Sequence, residues 1–225
     1  MLRKYVFYLM VLTVFTVACN GEKTDDKKES KGSVVKRTTS SDSVKNILFF
    51  GTSLTAGLGL DPSEAYPALI QNRIDSLKLP YKVINAGLSG ETSAAGKGRI
   101  DWLLKQPIDI FVLELGANDG LRGIQVEETT KNLQFIIDKV KAKYPDVKMV
   151  MAGMQVPPNM GNPYVNDFKN MFPALAEKNN MVLIPFLLDK VGGVAKLNQA
   201  DGIHPTAEGD KILAENVWVK LKGIL

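Results

Sequence analysis

The chain has 225 residues, 45% of them apolar and 23% charged, a balance that excludes both a disordered polypeptide and a polytopic membrane protein. Its net charge of +4 lies at the amino end: residues 1–18 and 19–46 contribute +2 each, whereas residues 47–225 hold 19 charges of each sign, which leaves no basic nucleic-acid footprint on the body of the protein. With one cysteine, Cys19, and one histidine, His204, neither an intrachain disulfide nor a zinc site of the Cys/His kind can form.

Residues 1–18 read as a targeting segment. Arg3 and Lys4 precede an uncharged apolar run from Tyr5 to Ala18, the layout of a signal peptide and slightly short for a span of about 20 residues. Thr16-Val17-Ala18-Cys19 resembles a bacterial lipobox, with Thr16 where Leu is usual, so Cys19 is expected to carry lipid after cleavage. A plain secretory signal or an uncleaved anchor is the alternative. Residues 19–45 then form the expected lipidated Cys and polar tether. From 20 to 45 no aromatic residue occurs, and such a segment cannot bury enough surface to offset the entropy of ordering it.

The folded domain is expected over 46–225. Apolar runs at 46–50, 82–86, 108–115, 147–152 and 181–186 are continuous rather than alternating, as parallel strands covered on both faces require. Helical segments lie between them. Asp61-Pro62-Ser63-Glu64 reads as a helix start, with a capping Asp and Pro at the first position. Val126, Leu133, Ile137 and Val140 keep one helical face apolar, and Ile212, Leu213, Val217 and Leu221 do so after Thr206. No internal repeat interrupts this alternation. The expected fold class is α/β: a three-layer α/β/α sandwich around a five-stranded parallel sheet of flavodoxin-like order, with ligands at the carboxyl ends of the strands.

Four loops after strands carry the chemistry. Gly51-Thr52-Ser53-Leu54 follows the first strand; taken alone, its Ser caps a helix as readily as it attacks a substrate. His204, in Asp201-Gly202-Ile203-His204-Pro205, supplies what a serine nucleophile needs, a base that accepts a proton near neutral pH. Asp201, across a tight turn, can fold back to orient that imidazole, although a structural His beside Pro is the plain alternative. Asn118, in Gly116-Ala117-Asn118-Asp119-Gly120, offers an uncharged amide to a developing oxyanion, or simply turn chemistry. Gly90 lets a backbone N–H approach a ligand, or permits a turn.

Ser53, Gly90, Asn118 and His204, in that order and in those loops, resemble the four blocks of the SGNH branch of the GDSL-type lipases and esterases. The likeness runs on through Leu54-Thr55-Ala56-Gly57 and Gly120-Leu121-Arg122-Gly123, covers essentially all of 46–225, and is nearest to small bacterial periplasmic thioesterases, arylesterases and lysophospholipases. It implies an SGNH hydrolase fold in which Ser53 attacks an acyl carbonyl, His204 moves the proton and Asp201 orients His204. The oxyanion hole would comprise the Ser53 and Gly90 N–H groups and the Asn118 amide. It implies no cofactor and no metal, a small acyl-ester or lipid substrate, and no nucleic-acid partner. The lipobox adds attachment of the domain to a membrane of the bacterial cell envelope, and a monomer is expected.

One residue departs from the family pattern: Thr52 stands where Gly-Asp-Ser has its acid. If residue 52 approached His204, loss of that charge would leave the base neutral further into the acid range. Thr52 also supports the main alternative, a non-catalytic surface lipoprotein that binds acyl ligands; a deacetylase of acetylated sugars is a second. Gly90–Gly98 approaches a phosphate-binding loop but has five residues between its glycines and Gly98 where Ser or Thr belongs. Glu114 and Asp119 give no sign of converging as a glycosidase pair, and Glu114 reads as a buried strand acid.

Overall fold

Five parallel strands, β1 (Lys45–Gly51), β2 (Tyr81–Gly87), β3 (Ile110–Glu114), β4 (Lys148–Ala152) and β5 (Val182–Ile184), pair in the order β2-β1-β3-β4-β5. This is a computed structural model, and it describes residues 44–225. The expected signal segment, Cys19 and the expected tether up to residue 43 lie outside the described residues. Seven helices connect and cover the strands: α1 (Ser53–Ala56), α2 (Tyr66–Ser76), α3 (Ser93–Leu103), α4 (Ala117–Leu121), α5 (Val126–Lys143), α6 (Asn162–Lys178) and α7 (Ala207–Leu221). Helix α2 packs on α7, while α3, α5 and α6 pack side by side, so the sheet is flanked by helices in the expected α/β arrangement.

The continuous apolar runs have the cause that was expected of them. Ile47, Leu48, Phe49 and Phe50 of β1 are all fully buried, because successive side chains point to opposite faces and both faces are covered. Leu133, Ile136, Ile137 and Val140 form the buried stripe of α5, whose first turn carries Glu127 and Glu128 and whose last carries Lys141 and Lys143, matching the helix dipole.

Three boundaries differ from the sequence expectation. Asp61 does cap, accepting from the Ser63 N–H at 2.8 Å and the Ser63 hydroxyl at 2.6 Å, but it closes a single turn. The helix itself starts at Tyr66, with Pro67 in its first turn. Strand β5 has only three residues, because Pro185 has no N–H to donate; the chain then turns so that the Leu187 N–H reaches the Gly153 carbonyl. Ile108 and Leu115 are buried but flank β3 rather than extending it.

The strand order sets where a ligand can bind. The chain runs from β1 to β2 on one side and returns to β3 on the other, so the loops after β1 and β3 diverge and open a crevice at the carboxyl edge. Ser53 follows β1 and Asn118 follows β3.

Candidate active site

Ser53 is the first residue of α1, two residues beyond the end of β1. Thr52, in extended conformation, caps α1 by accepting from the Leu54 N–H at 3.4 Å, and Gly57 ends it in the left-handed region (φ 72°). A helix of four residues cannot hold its own shape. Its position comes from neighbours, and Gly51 leaves the room they need: a Cβ there would collide with the Thr55 hydroxyl and lie 2.5 Å from the Glu114 carboxylate.

His204 reaches Ser53 from the far end of the chain. Its Nε2 lies 2.9 Å from Ser53 Oγ and its Nδ1 lies 2.7 Å from Asp201 Oδ2. Asp201 also accepts the N–H groups of Ile203 and His204 at 2.9 and 3.0 Å, and these bonds hold its carboxyl well below the usual carboxylate range. An ionised Asp201 only accepts, so the proton of a neutral His204 sits on Nδ1 and the Nε2 lone pair faces the Ser53 hydroxyl. Gln199 fixes the loop against the serine turn, donating to the carbonyls of Pro205 at 2.8 Å and Leu58 at 2.7 Å.

Gly90 adopts φ 78°, a conformation that L side chains rarely take. Its N–H has no acceptor among the described residues, and its carbonyl accepts from Arg122 Nη2 at 3.1 Å. The Asn118 amide donates to the Glu91 carbonyl at 3.1 Å, which ties the loops after β2 and β3 together. Two buried acids support this junction. Asp119 accepts the Ser93 N–H and hydroxyl, at 2.8 and 2.5 Å, and Glu91 forms a bidentate pair with Arg99, at 2.8 and 2.5 Å. Glu91, Arg99 and the supporting role of Asp119 escaped the sequence reading; no local pattern distinguishes them from surface charges.

Thr52 does not turn to the imidazole. Its hydroxyl donates to Glu114, 3.0 and 3.1 Å from the two carboxylate oxygens, and its N–H reaches Glu114 Oε2 at 2.7 Å. The Thr52 side chain faces Glu114, so the condition for the expected coupling to His204, that residue 52 approach the imidazole, is not met. Glu114 is fully buried, and burial pushes its carboxyl up to about 7 against the pull of the Thr52 and Thr55 hydrogen bonds. It does not converge with Asp119, whose partners lie on α3 and α5. Residues 93–98 fall within α3, so Gly90–Gly98 forms no phosphate cradle.

Beside Ser53 and His204 opens a cleft of about 600 Å³, walled by Met154, Val156, Pro157, Phe186, Leu188 and Ile203. Its lining is mainly apolar, with Asn118, Gln155 and Asn198 among the polar members. Among the described residues no group of three or more His, Cys, Asp or Glu side chains is placed to hold a metal ion.

A parallel sheet of this order, with Ser, Gly, Asn and His on its carboxyl-edge loops, defines an SGNH-type hydrolase. The GDSL-like lipase/acylhydrolase family model matches residues 49–212, and the chain belongs to that family. It is 41% identical to the esterase TesA of Pseudomonas aeruginosa over 182 residues, 80% of this chain and 90% of that protein. It is 36% identical to thioesterase 1/protease 1/lysophospholipase L1 of Escherichia coli K12 over 170 residues, 75% and 79% of the two chains. Among solved structures it resembles the psychrotrophic esterase EstA of a Pseudoalteromonas species, inhibited by monoethylphosphonate, with a TM-score of 0.75 and 32% identity over 80% of this chain and 97% of that one. The protein is a carboxylic-ester hydrolase.

Proposed function

We propose that Ser53, His204 and Asp201 act as a nucleophile–base–orienter triad that hydrolyses acyl esters or thioesters through an acyl-enzyme. The observation that carries this reading is the continuous hydrogen-bonded line from Ser53 Oγ through the imidazole to Asp201, 2.9 and 2.7 Å in its two steps. As Ser53 Oγ bonds to the acyl carbon, its proton passes to His204 Nε2, and the resulting imidazolium is stabilised by Asp201. The carbonyl oxygen becomes an oxyanion within reach of the Ser53 and Gly90 N–H groups and the Asn118 amide. Collapse returns the proton to the departing alcohol or thiol. Water, deprotonated by the same imidazole, then attacks the acyl-enzyme and releases the acid.

The acyl group is assigned to the apolar cleft. Burying a methylene there is worth about 0.8 kcal/mol, so an alkanoyl chain should be preferred to acetyl. The esterase and thioesterase names of the relatives agree with an acyl substrate. The test is covalent labelling with a fluorophosphonate, followed by rates for p-nitrophenyl esters and acyl thioesters of graded chain length. One phosphonate per chain on Ser53, and a kcat/KM that rises from acetyl to hexanoyl, are expected. A folded protein that takes no label, or one labelled elsewhere, overturns the assignment.

We further propose that residues 1–18 are removed, that Cys19 carries lipid and that the segment from residue 20 up to the start of β1 at Lys45 tethers the domain to a membrane of the cell envelope. Cys19→Ser should abolish incorporation of a clickable fatty acid, whereas a chain beginning at Asp42 should be soluble and retain full activity. Aggregation or inactivity of that shorter chain would put the domain boundary elsewhere.

A further inference from the structure

We propose that Glu114 is a positioning residue for the nucleophile, its buried carboxylate clasping the chain on both sides of Ser53. This inference rests on the reading of Ser53 as nucleophile. Glu114 ends β3, directly across from Gly51 at the end of β1. From there it accepts the Thr52 N–H at 2.7 Å, the Thr52 hydroxyl at 3.0 Å and the Thr55 hydroxyl at 2.8 Å. Thr52 precedes Ser53 and Thr55 follows it by two residues, so one side chain fixes both ends of the segment that carries Oγ. When ionised, its two oxygens offer about four acceptor sites, enough for all three donors at once.

The surroundings argue against a filler role. Leu113 and Leu115, on either side, are apolar and fully buried, and an apolar residue at 114 would avoid the cost of desolvating an acid. No Lys, Arg or His pairs with Glu114 among the described residues. An acid buried without a counter-ion is expensive, and here every identified partner is a donor on the nucleophile's own turn. The chain extends one step further: Tyr66, fully buried at the start of α2, meets the Thr55 hydroxyl at 2.7 Å. The short helix is thereby locked to the sheet through Glu114 and to α2 through Tyr66. Thr52, the departure from the family pattern, fits this arrangement because a hydroxyl donates where an acid would have to share a proton.

The Ser53 Oγ rests on the segment that Glu114 clasps. Releasing either end lets the hydroxyl drift from the line of attack, and a misplacement of about 1 Å from such a remote change can cost 10²-fold. Glu114 itself does not line the cleft, so substrate binding should be little affected.

The test compares wild type with Glu114→Ala, Glu114→Gln and Thr55→Val, measuring kcat and KM on p-nitrophenyl butyrate, the rate of fluorophosphonate labelling, and thermal unfolding. Glu114→Ala should lower kcat by about 10- to 100-fold and slow labelling in parallel, with KM changed less than about twofold. Glu114→Gln should recover to within about fivefold of wild type: its carbonyl can take the Thr52 N–H and the Thr55 hydroxyl while its amide faces Thr52 Oγ1. A lower melting temperature with kcat and labelling rate unchanged per folded molecule overturns the proposal. Where Glu114→Ala does not fold, Thr55→Val decides: a folded variant with reduced kcat and labelling supports the clasp, and wild-type values for both overturn it. Ser53→Ala is the control that separates the two readings. Hydrolysis that survives it overturns the nucleophile assignment, whereas its loss together with a fully active Glu114→Ala overturns the clasp alone.

Discussion

Ser53→Ala and His204→Ala should each lower kcat by at least about 10⁴-fold, and the double variant should be little worse than either. Without the hydroxyl there is no atom to attack the carbonyl. Without the imidazole the hydroxyl keeps its proton, because Asp201 is hydrogen-bonded to the imidazole rather than to Ser53. The two side chains form one device, which is why their losses should not add. Both variants keep the proposed oxyanion donors and the cleft, so a small residual rate and near-normal substrate binding should persist. The fold should survive as well: His204 lies in a loop, and Ser53→Ala removes one hydroxyl whose only side-chain partner among the described residues is that imidazole. Steady-state rates alongside melting curves check this, and strictly additive losses would mean that one of the pair lies outside the mechanism.

The second large effect is expected at Asn118. Removing one oxyanion donor costs about 10²–10³ in kcat, and Asn118→Ala should fall in that range with KM nearly unchanged, since the charge it meets exists only near the transition state. The structure adds a complication that pulls the same way. The Asn118 amide also donates to the Glu91 carbonyl, so its loss loosens the loop that presents the Gly90 N–H. Asn118→Asp is the sharper comparison. It keeps the size but replaces a donor by a negative charge aimed at a developing negative charge, and it should be slower than Ala. A raised KM with unchanged kcat in the Ala variant would instead identify Asn118 as a residue that grips the substrate.

The sheet could be read from the sequence because burial on both faces leaves a local mark. Runs such as Ile47–Phe50 are apolar without alternation, and their number and spacing give the strand count. Helix α5 was equally legible, since its buried stripe repeats at the helical period. The ends of elements were less so. Asp61 makes the hydrogen bonds of a cap, yet whether the turn it closes continues as a helix depends on what the next residues pack against. Ser53, Gly90, Asn118, Asp201 and His204 could be singled out from the sequence because each lies in a distinctive short block. The supporting acids could not, because Glu91 and Asp119 resemble surface carboxylates until the fold brings Arg99 and Ser93 to them. Thr52 is the instructive case. Its proximity in sequence to Ser53 suggested an electrostatic role toward His204, but its side chain points to β3, 62 residues away along the chain.

Strand direction has a practical corollary for how the enzyme can be handled. Described chain enters β1 at Lys45, and its other end lies beside β4, where Lys148 reaches the Ile224 carbonyl at 2.5 Å. Lys45 and Lys148 both begin their strands, so entry and exit share the amino edge, roughly 20 Å of strand from the loops that hold Ser53 and Asn118. A bead, an affinity handle or a reporter protein joined next to Lys45 or Ile224 would attach at that edge, away from the cleft. Catalysis and attachment can therefore be re-engineered independently: the carboxyl-edge loops can be rebuilt for a new acyl chain while the rear edge carries whatever the application requires.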